Sequence, residues 1–192
     1  MLYYFSRIVL RILGWKVEGE TPTISKYVLI MAPHTSRLDG ILLLLSGYAL
    51  RMPINWIVAQ DAVQGILHPV VKRLGAVPID RTQNRNVVSA MVDEFKVRDA
   101  LALAIAPMGM TRYSDHWRSG FYRIATQADV PLIFSYLDWG TKRLGVSQPY
   151  KLTGDISADM DVIREFYGDM TGKFPKNLSR IRLKLEDGNA GA

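Results

Sequence analysis

Short, almost uninterrupted apolar runs alternate with helix-period stretches along this chain, and that alternation limits its fold more than any other feature. The run at 27–32 ends at Pro33, and runs at 54–59, 76–79, 100–106 and 130–137 repeat the pattern. A strand with no polar face is buried on both sides, the condition of parallel sheets covered by helices. Between the runs, 39–48, 63–74, 86–97 and 120–128 read as helices, with Val87, Val88, Met91, Val92 and Phe95 forming one stripe. Segments 143–147 and 150–153 predict a terminal hairpin, 161–170 a last helix, and 188–192 a frayed tail. The expectation is an α/β fold with a mainly parallel central sheet flanked by helices, built as one domain over residues 1–192. Ligands of such sheets sit outside the carboxyl ends of the strands, where His34, Arg81 and the stretch 107–112 fall.

Composition narrows the chemistry. There is no cysteine, hence no disulfide, thiolate metal site or cysteine nucleophile. His34, His68 and His116 lack metal-ligand spacing, so no metal is expected. A net charge of +6 and a pI near 9.6 favour anionic partners. The basic residues show no aromatic interleaving and no nucleic-acid motif, so nucleic acid is not expected.

The N-terminal segment 1–15 puts Leu2, Phe5, Val9, Ile12 and Leu13 on one helical stripe, with Ser6, Arg7 and Arg11 away from it. It is too short and too charged to span a bilayer and lacks a signal-peptide cleavage pattern. One reading is an amphipathic helix lying on a membrane surface; the other is an amphipathic helix packed on its own domain. The run 41–45 reads as core.

Directly after the first strand comes Pro33-His34-Thr35-Ser36-Arg37-Leu38-Asp39. With His34 in the loop and Asp39 in the first helical turn, the carboxylate folds back on the imidazole. It then fixes the ring and leaves the other nitrogen to take a proton from a hydroxyl. The alternative is a Ser36 helix cap with Asp39 at N3 and a bland loop histidine.

This His-x4-Asp resembles the first motif of the lysophosphatidic acid and glycerolipid acyltransferase family. Three further pieces follow in the family's order. Gly75-Ala76-Val77-Pro78-Ile79-Asp80-Arg81 resembles the second motif, Pro107-Met108-Gly109-Met110-Thr111-Arg112 stands where Pro-Glu-Gly-Thr-Arg is usual, and Val130-Pro131-Leu132-Ile133 resembles the fourth. Trp117-Arg118-Ser119-Gly120-Phe121 is similar to short bacterial members. The resemblance implies that an acyl group passes from a coenzyme A or acyl-carrier-protein thioester to a lipid hydroxyl. His34 would be the base, Asp39 its orienting acid, and Arg81 the phosphate-binding residue, since a guanidinium fork matches phosphate oxygens. Gly109, Thr111 and Arg112 would complete the acceptor site. An arginine paired with Asp80 on the surface is the other reading of Arg81.

The third motif departs from the family at Met108, which replaces glutamate; a one-residue slip would bring Thr111 and Arg112 back into register. Methionine cannot accept the hydrogen bonds a carboxylate does. This leaves three expectations: a lysophospholipid acceptor such as 1-acyl-glycerol-3-phosphate, as in phospholipid biosynthesis; an acceptor of another kind, an amino-lipid or glycolipid; or a catalytically silent lipid- or acyl-carrier-binding protein. Trp117, Phe121 and Tyr122 read as packing or as an acyl groove, and His116 as surface. No cofactor beyond the thioester co-substrate is implied. The expected place is the cytoplasmic side of a membrane, peripherally held.

Overall fold

The computed structural model describes residues 1–59, 75–79, 87–108 and 112–187 of the chain. Helix α1 (Leu2–Ile12) leads to strand β1 (Lys16–Glu18), then β2 (Lys26–Ala32), α2 (Leu38–Ala49), β3 (Asn55–Ala59) and β4 (Ala76–Ile79). There follow α3 (Val87–Val97), β5 (Leu101–Ile105), α4 (Gly120–Ala128), β6 (Leu132–Asp138), β7 (Arg143–Val146) and α5 (Ile156–Tyr167). A 3₁₀ turn, Pro175–Asn177, and a short helix α6, Lys184–Asp187, close the described chain.

The strands form one sheet in the order β1-β7-β6-β2-β5-β3-β4. All neighbours are parallel except β6 and β7. Strand β2 lies at the centre, with Ile30 beside Ile105 of β5 and Phe134 of β6. Its apolar run is continuous because its two faces feed different cores. Val28, Ile30 and Ala32 pack with Met91, Phe95, Phe121, Ile124, Met160 and Ile163 of α3, α4 and α5. Tyr27, Leu29 and Met31 pack with Leu10, Trp15, Leu42 and Leu43 beside α1 and α2. Each such side chain contributes about 1.5–3 kcal/mol relative to leaving it exposed. The Tyr167 hydroxyl donates to the carbonyls of Ile30 (3.1 Å) and Ser135 (3.0 Å), pinning α5 across β2 and β6.

Two further devices shape the fold. Gly75 has φ +108°, and a Cβ there would stand 2.0 Å from the carbonyl oxygen of Ile54, so only glycine lets β4 begin beside β3. Asp159, fully buried on α5, accepts hydrogen bonds from the hydroxyls of Tyr122 and Tyr150, from both the amide and hydroxyl of Thr153, and from the amide of Gly154. That carboxylate joins α4, α5 and the 150–154 segment.

Several expectations change. The hairpin of 143–147 with 150–153 does not form: β7 instead pairs antiparallel with β6, and Tyr150 makes a single bridge to Leu132. The last long helix begins at Ile156 rather than Asp161, because Asp155 caps it by accepting from the amides of Ser157 (3.0 Å) and Ala158 (3.1 Å). In the 41–45 run Ile41 is exposed, while Leu42 and Leu43 are buried. Helix α1 packs on α2 through a face other than the expected stripe: Ser6 and Leu10 are buried, whereas Leu2, Tyr4, Phe5, Ile8 and Ile12 are exposed. Leu10 joins the core with Leu42 and Leu43 of α2, and the other large apolar residues of α1 turn outward. Among the described residues no helix is long and apolar enough to cross a membrane. The expected helix at 63–74, His68, and the tail from Gly188 lie outside the described residues.

Candidate active site

The centre of the sheet delivers His34 to one edge. Strand β2 ends at Ala32, the Ala32–Pro33 peptide is cis, and α2 starts at Leu38, so residues 33–37 form a tight loop. Asp39, in the first turn of α2, is completely buried and organises that loop from below. Its Oδ2 accepts the amides of Thr35 and Ser36, both at 2.8 Å, and its Oδ1 accepts the indole N–H of Trp139 at 2.9 Å. The Ser36 hydroxyl accepts the amide of Leu38 at 3.2 Å. The cap and the acid are thus one arrangement, a reciprocal pair of the kind that starts many helices, here with a histidine beside it.

His34 Nδ1 stands 3.4 Å from Asp39 Oδ2, and its side chain is 16 % exposed. Nδ1 is buried without a well-formed hydrogen bond, so the contact with Asp39 is long and open to tightening when a ligand fills the site. Burial alone would raise the Asp39 carboxyl. The neighbouring His34, the Ser36 amide, the Trp139 indole and the Thr35 amide together hold it below the ordinary carboxylate value. A carboxylate kept anionic beside Nδ1 orients the ring and leaves Nε2 free for a proton.

The loop after β5 meets the same site. The backbone amide of His34 donates to the Met108 sulfur at 3.3 Å, and Met108 is itself buried. Behind this contact lies a cavity of about 160 Å³ walled by Ala32, Pro33, Met108, Trp117, Tyr167 and Leu178. Trp117, Phe121 and Tyr122 are buried core residues, as packing requires. Arg112 is exposed, and Arg81, Gly109 and Thr111 lie outside the described residues, as does the register of the third motif. His116 is not isolated: its Nε2 stands 3.3 Å from Asp187 Oδ2, an acid too far along the chain for spacing to reveal. Among the described residues no three His, Cys, Asp or Glu side chains gather to hold a metal.

Sequence reasoning missed Trp139 and the strap around it. Trp139 lies 100 residues from Asp39, in the turn after β6, so no local spacing announces it. Its amide donates to Thr171 O, and the Phe174 amide donates to the Thr35 hydroxyl at 3.1 Å. A Cβ on Gly172 would come within 2.6 Å of the Thr35 side chain, so the segment lies directly against the loop that carries His34.

A family model described as Acyltransferase matches residues 14–135, a span that includes the His34 loop, Met108 and Trp117. The chain belongs to the acyltransferase family. A search of curated proteins finds no match. Among solved structures, this acyltransferase resembles the 1-acyl-sn-glycerophosphate (LPA) acyltransferase PlsC from Thermotoga maritima, with a TM-score of 0.58 at 14 % identity over 88 % of this chain and 74 % of that one. That likeness is one of fold, and it agrees with the mainly parallel sheet and flanking helices of the acyltransferase described here.

Proposed function

We propose that the chain transfers a fatty-acyl group from an acyl-CoA or acyl-carrier-protein thioester to the hydroxyl of a lysophospholipid such as 1-acyl-glycerol-3-phosphate, a step of phospholipid biosynthesis. The observation that carries this reading is the His34–Asp39 pair at the carboxyl end of the central strand, with the acid anionic and the ring beside it. His34 Nε2 takes the acceptor's hydroxyl proton as the oxygen attacks the thioester carbon. The tetrahedral intermediate collapses, the carbon–sulfur bond breaks, and the thiolate leaves with a proton returned from His34. Base catalysis of this kind supplies roughly 10²–10⁴-fold in rate. Arg81, Gly109, Thr111 and Arg112 are assigned to the acceptor by motif position.

The exposed ridge of α1 supports action at a membrane surface; the cytoplasmic side is part of the proposal. Tyr4, Phe5, Ile8 and Ile12 face outward, and Leu38 and Ile41 of α2 are exposed on the helix that carries Asp39. A helix with one docked face and one apolar outer face suits an interfacial position. Replacing Ile8 and Ile12 by glutamate should reduce co-sedimentation with anionic vesicles, and unchanged binding would remove α1 from the interface.

Met108 favours a second reading, an acceptor that needs no carboxylate at this point. Its sulfur is turned to the His34 amide, in a place where the family usually has glutamate. The deciding assay is thiol release from long-chain acyl-CoA and acyl-carrier-protein thioesters, with lysophosphatidate, an amino-lipid or a glycolipid as acceptor, for the parent and His34→Ala. Release that needs both His34 and lysophosphatidate supports the first reading. Release with another acceptor alone supports the second, and no release with any acceptor points to a silent binding protein.

A further inference from the structure

We propose that Trp139 is a positioning residue of the transfer reaction, holding Asp39 through its indole N–H so that the carboxylate faces His34. The inference rests on the reading of His34 and Asp39 as the base and its orienting acid. Both oxygens of a fully buried carboxylate are engaged, but by different means. Oδ2 is taken by the amides of the loop that carries His34, which any helix-capping aspartate could do. Oδ1 is taken by a side chain from the far end of β6 at 2.9 Å, and no capping role calls for that bond. An aspartate with only the two amides could turn about its Cα–Cβ bond. The third donor removes that freedom and sets which oxygen lies toward Nδ1.

The indole is itself fixed from several sides. It stands edge-on to Trp15, with ring centroids 5.0 Å apart. The ammonium groups of Lys142 and Lys173 lie 4.9 and 5.0 Å from its centroid. Its backbone amide donates to Thr171 O at 2.8 Å, while Asp138 accepts the amides of Gly140 and Thr171. A ring held by a neighbouring ring, two cations and a braced turn has little rotamer freedom to lose when it donates. The same 171–174 strap reaches Thr35, so the turn bearing Trp139 and the loop bearing His34 are tied by one segment.

The test separates the N–H from the bulk of the ring. Trp139→Phe removes the donor and part of the ring. Site-specific replacement of Trp139 by benzothienylalanine keeps the bicyclic shape and removes only the donor, so a folding defect of the first variant leaves the second informative. The expected result in the benzothienyl protein is a fall in kcat of roughly 10- to 100-fold with KM for thioester and acceptor unchanged. The Asp39 carboxyl itself should protonate at higher pH, because a carboxylate that loses a donor is less well stabilised. Carboxyl ¹³C titration of Asp39 reads that shift directly, and it needs no turnover. Should the parent transfer no acyl group, the transfer reading fails, while this titration still decides whether Trp139 holds the carboxylate. An unmoved Asp39 titration, or an unchanged kcat in the benzothienyl protein, overturns the proposal.

Discussion

Asp39 and Asp159 are both fully buried and both held below the ordinary carboxylate value, yet they do different work. Burial raises each carboxyl, and hydrogen bonds outweigh it. For Asp159 the donors are the Thr153 amide, the Tyr122 and Tyr150 hydroxyls and the Thr153 hydroxyl. Every one comes from a group that does not titrate in the neutral range: burial and Asp159 push the Tyr150 phenol up to about 12 and the Tyr122 phenol higher. The shell is closed, and it fastens helices. Around Asp39 one neighbour is an imidazole whose Nδ1 makes no well-formed bond. Depth and a lowered carboxyl therefore do not mark a catalytic acid. What sets Asp39 apart is the adjoining His34, whose Nδ1 is left incompletely satisfied, and that contrast supports the proposed role.

The sharpest way to break the comparison is to make the same change at both positions. Asp39→Asn should cut kcat by roughly 10⁴-fold, as loss of an orienting acid does in histidine-based sites, and should also lower the melting temperature, because a buried donor among Thr35, Ser36 and Trp139 then faces an amide. Asp159→Asn should leave kcat of the folded protein unchanged and lower unfolding stability by about 3 kcal/mol in urea titration, because buried donors then face an amide. An exchange of those phenotypes would reverse the assignment. His34→Ala should lower kcat by roughly 10²–10⁴-fold with no loss of stability, read from paired turnover and melting measurements.

Acid adds a second axis. An unfolded aspartate titrates near pH 3.9, roughly. Because both folded carboxyls titrate lower, each contributes stability that is fully present above that value and lost as pH falls through the folded one. Urea stability of the parent should drop across that acid window, and Asp159→Asn should flatten the drop. A parent curve and a variant curve of equal slope would show that Asp159 is not the source. The smallest effects belong to the phenols: Tyr122→Phe and Tyr150→Phe should each lose about 1.5 kcal/mol, the worth of one hydrogen bond to a charged group, with kcat unaffected.

The sheet was legible because a strand buried on both faces has to be almost wholly apolar, as 27–32 and 101–105 are and as 132–137 is but for Ser135. Strand β1 was not, since Lys16, Val17 and Glu18 carry no such signature and join the sheet only at its edge beside β7. The shift of α5 had a signal: Asp155 precedes Ile156, and Met160, Ile163 and Tyr167 recur at helical spacing on the buried face. The inward face of α1 includes buried Ser6 while Phe5 and Ile12 are exposed, a choice that hydrophobicity alone ranks wrongly. At the site, His34 and Asp39 were readable because five residues of sequence fix their relation. Trp139, Gly172 and Asp187 act across the chain, where only the fold supplies the distance.

Strand β2 carries one more consequence. Its residues are shared between both cores and both neighbouring strands, with the Val28 amide bonded to Pro131 O at 3.0 Å and the Ile30 carbonyl taken by Tyr167. Amides so placed exchange with solvent only through global opening. The five-residue loop that bears His34 grows straight out of that strand, and Asp39 fastens its other end. With both ends of the loop so anchored, we expect it to open together with the sheet. Thermal inactivation and global melting should coincide in this enzyme, with no temperature interval in which folded but inactive molecules accumulate.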